Sequence, residues 1–291
     1  MKNNLKFDVK TESLLLPFLL VCFNKKSRNY VKGILKRGQV MVDGKMCKDF
    51  SQTVSPGQCV EILMSAPEIN AKINIPILFE DDDILVIDKP AGMLSISTDT
   101  EHESTAYHIA TDHVKSRGRG GRVFIVHRLD RETSGIMLFA KNERTKLALQ
   151  DHWDELALRR GYIAVVEGKV STLAGQVKSW LKQTKTLLVY SSEKKGDGKL
   201  GITNYRNLQT AARYSLLDIS LETGRKNQIR VHMSDIGHPI VGDKKYGAHT
   251  NPANRLCLHA SELIIKHPST GEQVKFESKM PDVFRKVMRC S

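Results

Sequence analysis

The densest run of chemically capable side chains is His127-Arg128-Leu129-Asp130-Arg131-Glu132-Thr133-Ser134-Gly135. It lies between two apolar runs, Val123 to Val126 and Ile136 to Ala140, which read as buried strands with a polar loop between them. That placement puts Asp130 at a strand end, where a carboxylate stays ionised only if cations or amide donors stabilise it. Arg128 and Arg131 are close in sequence. An Asp that merely caps its turn with Thr133 and Ser134 is the plainer alternative. His127, Asp130 and Ser134 also supply the residue types of a hydrolase triad, but a nucleophilic serine of that kind sits on a glycine-flanked elbow, and the chain contains no Gly-x-Ser-x-Gly.

Other clusters point away from metals and dinucleotides. Glu80-Asp81-Asp82-Asp83 lacks the turn glycine and ligand spread of a hard-cation loop, and reads as a solvated turn between strands Ile77–Phe79 and Ile84–Ile87. His232, His238, His259 and His267 have no thiol or carboxylate at ligand spacing. Gly196-Asp197-Gly198-Lys199-Leu200-Gly201 matches Gly-x-Gly-x-x-Gly only in letters, since it follows a hydrophilic segment and leads into strand-like Ile202 to Leu208.

The elements that must position these residues belong to a chain of 291 residues, long enough for one large domain or two unequal ones. Its 45 Lys and Arg against 32 Asp and Glu give a net charge of +13, which favours a polyanionic partner. Cys22, Cys47, Cys59, Cys257 and Cys290 are scattered, with no Cys-x-x-Cys, so neither a disulfide framework nor a zinc ribbon organises the fold. A reducing, cytoplasmic setting is expected. The apolar run Leu14 to Phe23 superficially resembles a signal peptide, but Asp8, Glu12 and Pro17 spoil that pattern, so it reads as a buried helix. After it, Ser27 is placed to cap a helix whose Val31, Ile34 and Leu35 share one face while Arg28, Lys32 and Lys36 share another. Asp43-Gly44 then signals a hairpin. In the larger part, helices are expected over Glu103 to Lys115 and Glu143 to Arg159.

Two resemblances follow from these residues. Ser27-Arg28, then Ile34-Leu35-Lys36-Arg37-Gly38-Gln39-Val40-x-Val42-Asp43-Gly44, resembles the RNA-binding module named after the fourth small-subunit ribosomal protein, over residues 12–64, with 65–76 as a linker. That resemblance implies that Arg28, Lys32, Lys36 and Arg37 grip RNA backbone. The His-Arg-Leu-Asp-x-x-Thr-Ser-Gly run matches, at seven defined positions in nine, the signature of RluA-type pseudouridine synthases. Arg160-Gly161-Tyr162 resembles the second motif of that family, with Arg where Lys is usual. Leu221-Glu222-Thr223-Gly224-Arg225-Lys226-Asn227-Gln228-Ile229-Arg230-Val231-His232 resembles the third, with Asn227 in place of the customary His. Gly237 to Asp243, Leu258-His259-Ala260 and His267-Pro268 extend the likeness through a catalytic domain over 77–291.

The resemblance implies an α+β catalytic domain with a mixed, largely antiparallel sheet, acting on structured RNA, with ribosomal RNA expected. It implies Asp130 as nucleophile, Arg225 as its cationic partner, and Tyr162 against the base as proton acceptor at C5. Arg128 is implied to fill the gap left by the extruded nucleotide, with His127, Thr133, Ile229 and Arg230 around the substrate. No cofactor, metal or membrane is called for, and a monomer is expected. The reading set against it is a non-catalytic RNA-binding factor in ribosome assembly, using the same basic surfaces.

Overall fold

The computed structural model describes residues 4–24, 26–36, 38–47, 49–64, 75–97, 105–117 and 121–289. The chain divides into two compact units, Met1–Ile73 and Asn74–Ser291.

The N-terminal unit runs β1 (Leu5–Asp8), β2 (Ser13–Leu14), α1 (Leu15–Cys22), α2 (Arg28–Lys36), β3 (Val40–Val42), β4 (Lys45–Met46), β5 (Thr53–Val54) and β6 (Cys59–Ile62). β6 pairs antiparallel with β1 and β3, β4 extends the edge, and β2 pairs with β5. The unit's sheet thus starts at Leu5, ahead of the expected boundary at residue 12, because β1 supplies the second neighbour of β6. Leu15, Leu16 and Leu19 meet Val31, Ile34, Leu35, Val40, Val42, Val60 and Ile62 in one core. Helical and strand periodicities therefore converge on a shared apolar layer. Ser27 caps α2 as expected, its Oγ accepting from the Tyr30 N–H at 3.2 Å. Arg37 and residues 65–74 of the expected linker lie outside the described residues, as does the Lys36 side chain.

The larger unit runs β7 (Ile77–Glu80), β8 (Ile84–Lys89), α3 (Ala106–Ser116), β9 (Phe124–Ile125), β10 (Ser134–Ala140), α4 (Glu143–Asp151), α5 (Trp153–Leu156), β11 (Ala157–Glu167), β12 (Ala174–Gln183), β13 (Val189–Ser192), β14 (Lys199–Thr210), β15 (Tyr214–Leu221), α6 (Gln228–Asp235), β16 (Leu258–Lys266), β17 (Gln273–Glu277) and α7 (Asp282–Arg289). The strands form a sheet in the order β13-β12-β14-β15-β11-β16-β10-β8-β7, with β17 on β16 and β9 on β10. Among the described residues only the pairing of β10 with β16 is parallel, so the sheet is mixed and largely antiparallel.

β10 reads as a continuous apolar run because both of its faces are covered. Met137 and Phe139 pack with Ala106, Ala110 and Val114 of α3, while Ile136, Leu138 and Ala140 pack with Leu149 of α4. The expected helix to Arg159 ends earlier. Ala157, Arg159 and Arg160 pair with Ile265, Ile264 and Leu263 of β16, and this pairing draws the segment into β11. β9 is shorter than the expected Val123 to Val126 strand, with two residues paired to Phe139 and Ala140. α3 starts at Ala106, where Thr105 Oγ1 accepts from the His108 N–H. Among the described residues no helix is long and apolar enough to cross a membrane.

Candidate active site

The sheet fixes the meeting point. Gly135 of β10 pairs with Ala260 of β16, and Ala260 pairs on its other side with Tyr162 of β11. The signature loop and the tyrosine are therefore held two strands apart. Gly135 has φ +111°, and a Cβ there would lie 2.1 Å from the Ala260 carbonyl oxygen, so the close approach of β10 to β16 requires glycine.

The loop before β10 is fixed from beneath. Lys89, fully buried at 0% exposure, donates from Nζ to the carbonyls of Met93 (2.8 Å), Pro90 (3.0 Å) and Arg131 (3.2 Å). Burial brings its ammonium down to about 8, against the attraction of Glu132 and Asp130, while Arg255 adds to the lowering. Ser95 Oγ donates to the Leu129 carbonyl (2.7 Å) and accepts from the Leu129 N–H (3.1 Å). The His127 ring stacks on Trp153 with centroids 5.0 Å apart, and its Nε2 accepts from the Leu138 N–H at 3.0 Å, which places the ring proton on Nδ1. Burial, and then Arg160, push this histidine down to about 4, so it is neutral.

The third motif enters from the other side. Gln228, only 2% exposed, accepts from Thr223 Oγ1 and the Arg225 N–H and donates to Ile202 O and Thr203 Oγ1. Asn227 occupies the left-handed region (φ 55°) just before α6. Its amide, oriented by the hydrogen-bond network, donates to Asp130 Oδ2 (2.7 Å) and Oδ1 (3.2 Å) and accepts from the Tyr246 hydroxyl (2.8 Å). Arg230 Nη1 lies 3.5 Å from Asp130 Oδ2. Its Nε and Nη2 are clamped bidentately by Asp243, both at 2.7 Å, and its guanidinium lies 4.9 Å from the Tyr246 ring centre. Burial would lower the pKa of Arg230, but Asp243, Asp130 and Tyr246 together raise it.

Around these groups lies a cavity of about 720 Å³. His127, Arg128, Asp130, Thr133, Tyr162, Arg225, Ile229 and Arg230, the residues expected at the catalytic centre, all line it. Asp130 keeps 31% of its side chain exposed there. Tyr162 is half-buried, and burial, opposed by Arg160 and reinforced by Asp130, pushes its phenol up to about 12. Arg128 is exposed and, among the described residues, its side chain has no hydrogen-bond or ionic partner. The described residues contain no cluster of three His, Cys, Asp or Glu able to hold a metal ion.

A family model described as RNA pseudouridylate synthase matches residues 83–235. The Bacillus subtilis (strain 168) protein named uncharacterized RNA pseudouridine synthase YlyB is 35% identical over 91% of this chain and 89% of its own. Ribosomal large subunit pseudouridine synthase D of Zymomonas mobilis is 34% identical over 88% of this chain and 86% of its own. The chain belongs to the RNA pseudouridine synthase family. A solved structure of human RNA pseudouridylate synthase domain containing 4 shares the fold, with a TM-score of 0.61 and 22% identity over 74% of this chain and 92% of that one.

As a member of this RluA-type family, the chain is an isomerase that converts uridine in RNA to pseudouridine. One expected pairing is corrected. The cation beside Asp130 is Arg230, whereas Arg225 is exposed and donates from Nε to the Leu200 carbonyl (3.0 Å). The cause is the start of α6 at Gln228. Arg225 stays in the loop before the helix, and Arg230, in its first turn, is drawn between Asp243 and Tyr246. Asn227 occupies the place of the usual ring and supplies an amide donor to Asp130. Asp243 and Tyr246 hold Arg230 in place, and the sequence motifs do not single them out. The stretch Gly237 to Asp243 followed the family pattern, but nothing in it named Arg230 as the partner.

Proposed function

We propose that this pseudouridine synthase acts on uridine in structured ribosomal RNA with Asp130 as its nucleophile. The observation that carries the reading is the Asp130 carboxylate, held by the Asn227 amide and the Arg230 guanidinium and open to a cavity that it shares with Tyr162. An ionised carboxylate beside a clamped arginine, with part of its surface free, is what attack at a sugar carbon needs. An Asp130 oxygen bonds C1′ as the C1′–N1 bond breaks, and the electron pair leaves with the base. The base turns, C5 bonds C1′ and displaces the carboxylate, and the C5 proton then departs while N1 takes one from water.

Tyr162 packs against the base and its ionised form takes that proton, while His127, Thr133 and Ile229 line the space the base turns in. The uridine must leave its stack, at a cost of a few kcal/mol, and Arg128 fills the gap. The N-terminal unit is read as the RNA-gripping module, with Arg28, Lys32, Lys36 and Arg37 on phosphates. The protein is read as a cytoplasmic monomer. A ribosomal target draws support from relatives whose names specify the large ribosomal subunit.

Asp130→Asn tests the reading. Turnover on a ribosomal RNA transcript is expected to fall by about 10³-fold or more, with RNA affinity held within about twofold. Residual turnover near wild type would falsify the nucleophile assignment.

A further inference from the structure

Arg160 lies two residues before Tyr162 on β11, so both side chains leave the strand on the same face, and both line the cavity. It is 9% exposed. A guanidinium carries five N–H donors, and a buried one ordinarily spends most of them. Arg160 does not. Its Nη2 donates to the Glu222 carbonyl and lies 3.8 Å from an Asp154 carboxylate whose side chain is 83% exposed. Its Nε is buried with no partner, and no hydrogen bond of Nη1 is found among the described residues.

The room beside Nη1 is kept open by a glycine. A Cβ at Gly224 would lie 3.1 Å from that nitrogen, tight enough to force it to move. The neighbouring cavity arginines differ. Arg230 is committed to Asp243, and Arg128 and Arg225 are exposed, where a hydrated phosphate can reach them. Arg160 is thus a buried cation short of an acceptor, at the side of the tyrosine against which the base packs. Its field is felt there, since it opposes the burial that raises the Tyr162 phenol and adds to the lowering of His127.

We propose that Arg160 is a catalytic residue that donates to the uracil oxygens as the glycosidic bond breaks, holding the base in the cavity as its anion. This rests on the reading of Asp130 above. When the C1′–N1 bond breaks, its electron pair passes to N1 and, by conjugation, to O2 and O4. The negative charge that appears on those oxygens was absent from bound uridine, so a donor aimed at them favours the transition state over the ground state. The base is neutral again once C5 has bonded C1′ and the carboxylate has left with the charge, and it stays neutral as C5 loses its proton and N1 gains one from water.

The test uses the full chain and an RNA transcript that the wild type isomerises, large-subunit ribosomal RNA first, made with UTP or with 5-fluoro-UTP. Fluorine lowers the basicity of the departing uracil anion, so its cleavage depends less on outside stabilisation. Single-turnover loss of the N-glycoside is followed by nuclease digestion and mass spectrometry. Arg160→Gln is expected to slow cleavage of uridine by about 10²-fold and of 5-fluorouridine by about tenfold, with RNA affinity within about threefold. Arg160→Lys, which keeps a cation, is expected to recover most of the rate on both transcripts. Equal losses on the two transcripts overturn the proposal. So does a loss of affinity in which the log–log salt slope falls by about 0.7 to 0.9, the mark of a phosphate contact. If Arg160→Gln fails to fold in a thermal melt, the same comparison of transcripts is made with Arg160→Met, which also removes the cation, and equal losses on the two transcripts overturn the proposal. Asp130→Asn is run alongside. Turnover surviving in that variant refutes the nucleophile, whereas a dead Asp130→Asn with equal Arg160 losses refutes only Arg160.

Discussion

On α2 of the N-terminal unit, Arg28 is exposed with no ionic partner among the described residues, and Lys32 rests its ammonium 5.6 Å from the Phe50 ring centre. In the cavity of the larger unit, Arg230 is clamped by a carboxylate that is 1% exposed, lies against a tyrosine ring and meets Asp130. Both regions are basic, but the first leaves its cations in water, where they attract any polyanion weakly and additively. The second takes its cation out of water, and such a charge is retained only where specific partners compensate it. Net charge alone therefore says where RNA is drawn, and only burial and pairing say where chemistry is done.

The sharpest way to break this contrast is to remove the clamp. Asp243→Ala leaves the Arg230 guanidinium largely buried without its main partner, and removing one member of a buried pair costs about 3–5 kcal/mol. Denaturant titration is expected to show a loss of that size, together with lost turnover as Arg230 moves from Asp130. A variant as stable as wild type would mean that the cavity cation is as loosely held as those of α2.

Next in size is Tyr162. With its phenol pushed up to about 12, the residue is protonated at neutral pH, and its ionised fraction grows tenfold per pH unit until that value. If Tyr162 accepts the C5 proton, tritium release from C5-labelled uridine in RNA rises with pH between about 6 and 9. Tyr162→Phe is then expected to lose that rise and run about 10²-fold slower. A release rate that is flat with pH in the wild type and unchanged in Tyr162→Phe leaves the ring as packing only.

The contrast also explains what could be read in the sequence. The signature loop was legible because its residues are contiguous and lie between apolar strands, so Asp130, His127, Arg128 and Thr133 needed no knowledge of the fold to be grouped. The choice between Arg225 and Arg230 was not legible. It depends on where α6 begins and on Asp243 and Tyr246, which reach the site only after another turn of chain. Arg160 was visible only as a conservative change, because the missing acceptors that set it apart are facts of packing. The helix expected to reach Arg159 failed for a related reason. Local amphipathicity over Glu143 to Arg159 cannot register that β16 pairs with Ala157 to Arg160. β1 was overlooked because four residues of strand gain their meaning from β6, more than fifty positions away.

A smaller effect separates the units by pH. The N-terminal unit contains no histidine, whereas His232 of α6 is fully buried, its Nδ1 2.8 Å from Thr203 Oγ1 and its Nε2 3.0 Å from Ser179 Oγ. Burial lowers it to about 4. Between the ordinary value near 6.5 and 4, the unfolded chain binds a proton that the folded chain refuses, so stability falls as pH falls through that window. His232 alone is expected to cost about 2 kcal/mol at pH 5 relative to pH 7, and His127 acts in the same direction. Urea titrations at the two pH values should show this loss, and His232→Gln should reduce it. An unchanged pH dependence in His232→Gln would place the acid sensitivity elsewhere.

The smallest effect belongs to the cations of α2, and it completes the contrast. Arg28 is exposed and Lys32 half-buried over the Phe50 ring, so Arg28→Gln with Lys32→Gln should cost no more than about 1 kcal/mol and melt within a few degrees of wild type. Their proposed contribution is to RNA affinity. Each phosphate contact releases counterions, and its loss removes about 0.7 to 0.9 from the slope of log affinity against log salt, whichever RNA is used. The double variant is therefore expected to lower the slope by about 1.4 to 1.8 while its rate at saturating RNA stays that of the wild type. The opposite pattern, an intact salt slope with a lower saturated rate, would mean that these cations orient the uridine, and the division between attracting and reacting cations would fail at α2.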